Sequence, residues 1–464
     1  MRPRRDERER GFLRETIGKP GPVMVQTSSR DMVYASAATP FVRQPKAAVT
    51  APTHSAAAPS LLRQSAFACF LGSRVLSVTA YQMQTVAIGW QIYEITGSAL
   101  DLGLVGLVQF VPFVLLSLLV GHFADGYDRR SVVRLCQAGM GILGLALALG
   151  TASGVIGRSL MFTVLLMIGT ARTFEIPTMH SLLPGLVPTD ILPRAIAASA
   201  SANQAATICG PALGGLIYAL GPTTVYATCA VLFATATTLS SLIPKAMRTT
   251  ARQKLTLDSL TAGLVYLRGQ PVLLGVVTLD LFVVLFGGVT ALLPIFARDI
   301  LETGPWGLGL LRAAPAVGAL AVTAVLARRA PDGRLGVKLF AATAVFGAAT
   351  IVFALSTSLA LSLAALAVYG AADAVSVVIR MGLIQTRTPN EVLGRVLAVN
   401  SMFTGTTGTL GDFRAGVVAA ATGPVASVVI GGIGAIAVTL AWIRLVPPLA
   451  RIERFSPDGD GSDA

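Results

Sequence analysis

The sequence predicts an all-α membrane protein of twelve transmembrane helices in two pseudo-symmetric six-helix bundles, on three observations. Of its 464 residues 53% are hydrophobic and 13% charged, against roughly 25% charged in soluble domains. Apolar stretches of about 20 residues, enough to cross a bilayer as a helix, recur from Ala66 onward. The second half also repeats the first. Val187-Pro188-Thr189-Asp190-Ile191-Leu192-Pro193-Arg194 aligns with Thr388-Pro389-Asn390-Glu391-Val392-Leu393-Gly394-Arg395, so that 388 answers to 187 at an offset of 201. Gly210 with Gly411 and Gly215 with Gly416 keep that offset, which suits a duplicated transporter-like architecture.

The predicted spans are 66–93, 99–122, 132–153, 158–180, 195–219 and 223–243, then 272–297, 306–328, 336–356, 358–380, 395–419 and 424–446. Residues 1–64, rich in charge and then in Ala, Pro, Ser and Thr, read as a disordered cytoplasmic tail, because they bury too little apolar surface to offset ordering. The expected organisation is that tail, an N-terminal bundle at 65–244, a central cytoplasmic linker at 245–271, a C-terminal bundle at 272–447 and a cytoplasmic tail at 448–464.

Cytoplasmic loops retain Lys and Arg. With both termini inside, 30 of the 36 basic residues are cytoplasmic, Arg158, Arg298 and Arg312 are outside, and Arg74, Arg172 and Arg414 lie within spans. The net charge of +13 is therefore topological, and no aromatic-interleaved basic stripe points to nucleic acid. Cys69, Cys136, Cys209 and Cys229 lack zinc or redox spacing, and His54, His122 and His180 stand apart, so neither metal nor cofactor is expected. No GxxxxGK[ST] loop and no nucleophile, His and acid constellation suggests an enzyme.

Ionisable residues inside spans are costly and point to function. Arg74 lies in the first span, Arg172 and Glu175 in the fourth, Asp280 in the seventh, Asp373 in the tenth, and Asp412 with Arg414 in the eleventh. The repeat makes Arg172 equivalent to Asp373, and Arg74 nearly equivalent to Asp280, with cations in one half and anions in the other. Asp280, Asp373 and Glu175 are the proton-exchanging candidates, with Arg74 and Arg172 as charge partners competing for them. Arg380, seven residues after Asp373 on the same helical face, is expected to snorkel to the cytoplasm.

Two further motifs stand out. Gly121-His122-Phe123-Ala124-Asp125-Gly126-Tyr127-Asp128-Arg129-Arg130 joins the second and third spans, and Gly210-Pro211-Ala212-Leu213-Gly214-Gly215 places a Pro and small residues in the fifth. The first resembles the signature of the major facilitator superfamily, with Gly126 where a basic residue is common and Asp128 where Gly is common. That resemblance assigns gating to Gly121, Asp125, Arg129 and Arg130. The second resembles the bend of proton-coupled exporters at Gly210, Pro211, Gly214 and Gly215, with Ala197 and Ala206 in place of its upstream glycines. Trp90-Gln91-Ile92-Tyr93-Glu94, Leu102-Gly103-Leu104-Val105-Gly106 and Gly411-Asp412-Phe413-Arg414-Ala415-Gly416 resemble the branch of enterobactin exporters and macrolide or drug efflux proteins. The resemblance implies the major facilitator fold in the inner membrane, a small-molecule substrate exported by proton antiport, no cofactor beyond the proton gradient, and a functional monomer. Proton-coupled import of a small organic solute, or a non-transporting sensor or scaffold, are the alternatives.

Overall fold

The computed structural model describes residues 64–126, 128–244, 257–329 and 333–455. The expected N-terminal tail, but for its last residue, and the C-terminal tail beyond 455 lie outside them. The first half contains α1 (Ser65–Thr96), α2 (Ala99–Gly126), α3 (Arg129–Ala152), α4 (Arg158–Leu182), α5 (Leu192–Tyr218) and α6 (Pro222–Leu242). Next comes α7 (Leu257–Arg268), a helix within the stretch expected as linker. The second half contains α8 (Pro271–Gly287), α9 (Leu293–Ile295), α10 (Gly304–Arg328), α11 (Leu335–Leu355), α12 (Leu359–Arg387), α13 (Asn390–Thr422), α14 (Pro424–Leu445) and α15 (Pro447–Ala450).

Helices prevail because a backbone in lipid must satisfy its own hydrogen bonds. Among the described residues, nine segments are apolar and long enough to span a membrane. The helices α1, α5 and α13, of 32, 27 and 33 residues, have the length but carry more polar side chains. Each of the three also packs against a helix of the other half, α1 and α5 on α10 and α13 on α2. Lipid-facing surface shows the opposite chemistry: on α3, Leu135, Ile142 and Leu149 are exposed at heptad spacing, while Val133, Met140 and Leu147 are buried.

The packing follows the repeat. In the first half α1 contacts α5 and α6, α2 contacts α4, and α3 contacts α4 and α6; in the second, α8 contacts α13 and α14, α10 contacts α12, and α11 contacts α12 and α14. Glycines make the equivalent seams. A Cβ on Gly144 of α3 would stand 3.4 Å from the Ala230 nitrogen of α6, and one on Gly347 of α11 would stand 2.9 Å from the Gly432 carbonyl of α14. Small residues permit such backbone approach in membrane helices. The repeated Gly-Pro pairs start equivalent helices: Gly221 and Gly423 take φ of 114° and 90°, and Pro222 and Pro424 open α6 and α14.

The halves approach each other at the end marked by the α1–α2 and α13–α14 turns. There α5 meets α10, where a Cβ on Gly309 would lie 2.6 Å from the Pro211 carbonyl, and α2 meets α13, where one on Gly103 would lie 3.0 Å from the Gly416 Cα. Gly89 of α1 faces Pro294 of α9, and the Tyr93 hydroxyl donates to Asp299 across the same seam.

Candidate functional site

In the first half, Glu175 of α4 accepts from Ser77 of α1 at 2.5 Å, from Gln137 of α3 at 3.2 Å and from Arg172 at 2.7 Å. Gln137 also accepts from Ser240 of α6 at 2.8 Å and donates to Ser73 of α1 at 3.0 Å. Three helices thus meet at one buried carboxylate, and Gln137 ties in a fourth. The Arg172 guanidinium lies 4.2 Å from the Tyr81 ring centroid, and the Tyr81 hydroxyl donates to Gln109 of α2 at 3.0 Å. Arg74 reaches Asn203 of α5 at 3.4 Å, within electrostatic range of Glu175 and Arg172. The ring stacking and the paired charges offset the cost of placing two arginines inside the membrane.

The second half is built differently. Asp280 of α8 forms an ion pair with Arg380 of α12. Arg380, expected to snorkel, is 3% exposed. Its guanidinium points into the helix bundle because Asp280 awaits it there, and an unpaired carboxylate at that depth would be costly. Asp373, near the middle of α12, has no hydrogen bond or ion pair among the described residues. Arg172 is held by Glu175, one of the acids expected as its partners, and Asp280 by Arg380 of its own half, so the opposite signs of the repeat do not face each other in this arrangement. Arg312, expected outside, is half-buried on α10 between the halves, 4.0 Å from the position of a Cβ on Gly89 and in electrostatic range of Tyr81 and Asp412.

The seventh span is broken after Gly287, and α13 repairs the break. Asp412 Oδ1 accepts from the Ala291 backbone N–H at 3.3 Å, where the chain resumes its turns. Arg414 donates from Nε to the Leu285 carbonyl at 3.0 Å and from a terminal nitrogen to the Phe286 carbonyl at 2.5 Å. An acid thus meets the amide end and a base the carbonyl end, each opposite its favourable helix dipole, and the orphaned backbone groups are satisfied.

The motif residues meet in the same region. Gly214 would place a Cβ 2.7 Å from the Met83 Cα of α1, while Gly215 faces Gly309 of α10 at 3.0 Å. Pro211 lies inside an uninterrupted α5, and the small residues of the expected bend seat α5 between α1 and the other half. In the Trp90 to Glu94 motif, Trp90 donates to Glu94 at 2.7 Å, Tyr226 donates to Gln91 at 2.7 Å, Gln91 donates to Thr151 at 3.2 Å, and Tyr218 donates to Glu94 at 2.8 Å. At the opposite end, Arg129 donates to the Ser181 carbonyl at 3.1 Å and Arg130 to the Ile243 carbonyl at 2.6 Å. Both cap the C-terminal ends of helices, α4 and α6, where a cation is favoured. Gly121 and Asp125, expected to take part in gating, lie where no side chain is described. Sequence reasoning missed the Tyr93–Asp299 contact and the 2.6 Å ion pair between Arg158 and Asp101. Nothing in spacing links residues so far apart, although the Trp90 to Glu94 motif marks one side of the first contact.

Among the described residues, twelve long helices in two equivalent sets, glycine seams between the sets and charge at mid-helix are features of a membrane transporter. The profile of the family described as transmembrane secretion effector matches residues 54–457. The chain belongs to this family. It is a non-enzymatic transporter of the major facilitator superfamily. Enterobactin exporter EntS of Citrobacter koseri is 28% identical over 408 residues, covering 87% of this chain and 97% of that protein. Enterobactin exporter EntS of an Escherichia coli O139:H28 strain is 27% identical over 410 residues, covering 87% and 98%. Among solved structures, a bacterial homologue of the human lysosomal transporter Spinster, inward-facing and unoccupied, superposes with a TM-score of 0.66 at 14% identity, covering 85% of this chain and 97% of that one. An inward-facing bacterial homologue of the iron transporter ferroportin gives 0.64 at 19% identity, covering 85% and 100%. At these identities both share the fold with this chain, which is the transporter fold expected from the repeat.

Proposed function

We propose that this transporter exports a siderophore or bulky hydrophobic compound across the inner membrane by proton antiport and alternating access, as a monomer with both termini cytoplasmic. The observation that carries the reading is the pairing of a seam at one end of the two halves with a mid-helix carboxylate, Asp373, that has no ion-pair partner among the described residues. The basic residues favour the opposite end as the cytoplasmic one, which makes this an inward-facing state, as in the two superposed structures. The relatives named as enterobactin exporters support both the direction and the substrate class.

A carboxylate without a partner is stable at that depth when protonated and when the site opens to water as an anion. Proton occupancy of Asp373 then biases the two states, with each half, 65–244 and 272–447, rocking as a unit about the seam. The Asp280–Arg380 pair and the Arg172–Glu175 pair, with Arg74, are secondary sites whose partners exchange as the cavity reorients.

Inside-out vesicles containing the chain test this. A gradient acid inside should drive accumulation of enterobactin or a hydrophobic dye, and Asp373→Asn should lose the gradient dependence while keeping the wild-type melting temperature. Full proton-dependent accumulation by that variant sinks the role of Asp373, and uptake by whole cells without vesicle accumulation reverses the direction.

A further inference from the structure

A crevice of about 570 Å³ opens on the outer side of the second half, between α10, α11 and α12, within the roughly 300–1,000 Å³ of ordinary ligand sites. Each helix gives it one face: Leu326 of α10, Ala342 of α11, and Ala372 with Val375 of α12 form apolar walls. The alanines make the space, since larger side chains there would close the helices on one another. Its neighbours Val345 and Val368 are 45% and 47% exposed, so the crevice opens toward the hydrocarbon and not into the seam between the halves.

One rim is charged. Arg329, just past α10, and Lys338, in the first turn of α11, both line the crevice and are both exposed. No lining residue is acidic. Arg328 and Arg334 lie in the same connection, which carries four basic residues and one acidic residue between 328 and 338. This is the degenerate counterpart of the Gly121 to Arg130 motif, and transport as proposed above leaves it without a task.

We propose that the crevice binds one anionic phospholipid of the leaflet on the basic-loop side, an acyl chain between α10, α11 and α12 and the phosphate at Arg329 and Lys338. The occupant follows from the site: an apolar slot open to hydrocarbon takes an alkyl chain, and two cations at the headgroup level select negative charge. The proposal uses the membrane placement of the chain and is independent of cargo, direction and proton coupling.

The test uses the full chain purified in a neutral detergent, with retained lipid counted by native mass spectrometry and stability followed by thermal unfolding. Dioleoyl-phosphatidylglycerol should bind roughly tenfold or more tighter than dioleoyl-phosphatidylcholine, given two cations at the surface, and should raise the melting temperature. The soluble headgroup glycerol phosphate alone should do neither. The Arg329→Gln/Lys338→Gln double variant should bind both lipids equally, while Arg444→Gln, at the end of α14, keeps the preference. Ala372→Phe should weaken both lipids. Equal binding of the two lipids by the wild type, a preference surviving in the double variant, or glycerol phosphate matching the intact lipid would each overturn the proposal. Because the double variant alters only exposed side chains, it keeps the question answerable should Ala372→Phe fail to fold.

Discussion

The two halves share a packing plan and differ in how they handle buried charge. In the first, Glu175 is held by a serine, a glutamine and an arginine drawn from three helices, and Gln137 extends the network to a fourth. In the second, Asp280 relies on one partner, Arg380, and Asp373 has none among the described residues. A network that satisfies every lone pair is rigid and tolerates little change. A single pair, or a lone carboxylate, is the poised arrangement that a proton can alter. On the function proposed above, the lone carboxylate of the second half is the first group a proton alters, and the satisfied network of the first half exchanges partners only secondarily.

If that contrast holds, variants should rank by how much uncompensated charge they leave. Arg380→Met strands Asp280 inside the bundle and should cost about 3–5 kcal/mol, read as a large fall in unfolding temperature. Adding Asp280→Asn should restore most of it, and no restoration would break the pairing. Gln137→Leu leaves Glu175 and two serines short of partners and should cost about 2–3 kcal/mol. A cost nearer zero would show that water fills the first-half network, erasing the contrast. Ser73→Ala, at the edge of that network, should cost about 1 kcal/mol. Tyr93→Phe removes only the half-exposed bond to Asp299 and should cost about 0.5 kcal/mol. Its clearer readout is faster labelling of cysteines placed at the seam, and unchanged labelling would show that Tyr93 does not help hold that end closed.

The motifs show how far sequence reaches. Gly103 and Gly416 are 313 positions apart by number, yet each belongs to a motif marked from sequence, and they prove to be two sides of one seam. Gly210, Pro211, Gly214 and Gly215 were legible as a place of close packing, whereas the identity of the packed partners, α1 and α10, was not. Arg380 misled for the same reason. Its position seven residues after Asp373 describes its own helix correctly, but the side chain is directed by Asp280 on another.

The amino-acid order by itself determined the membrane class, the succession of apolar spans, the duplicated plan and the short set of charges worth attention. These depend on local composition, length and repetition, which a bilayer converts directly into helices. Tertiary structure alone decided the partners: Arg172 with Glu175, Asp280 with Arg380, Asp412 and Arg414 on the two sides of the break after Gly287. Pair energies at such depth depend on distances between different helices, and those distances are set by how glycine seams let the backbones approach, which no single segment of the chain encodes.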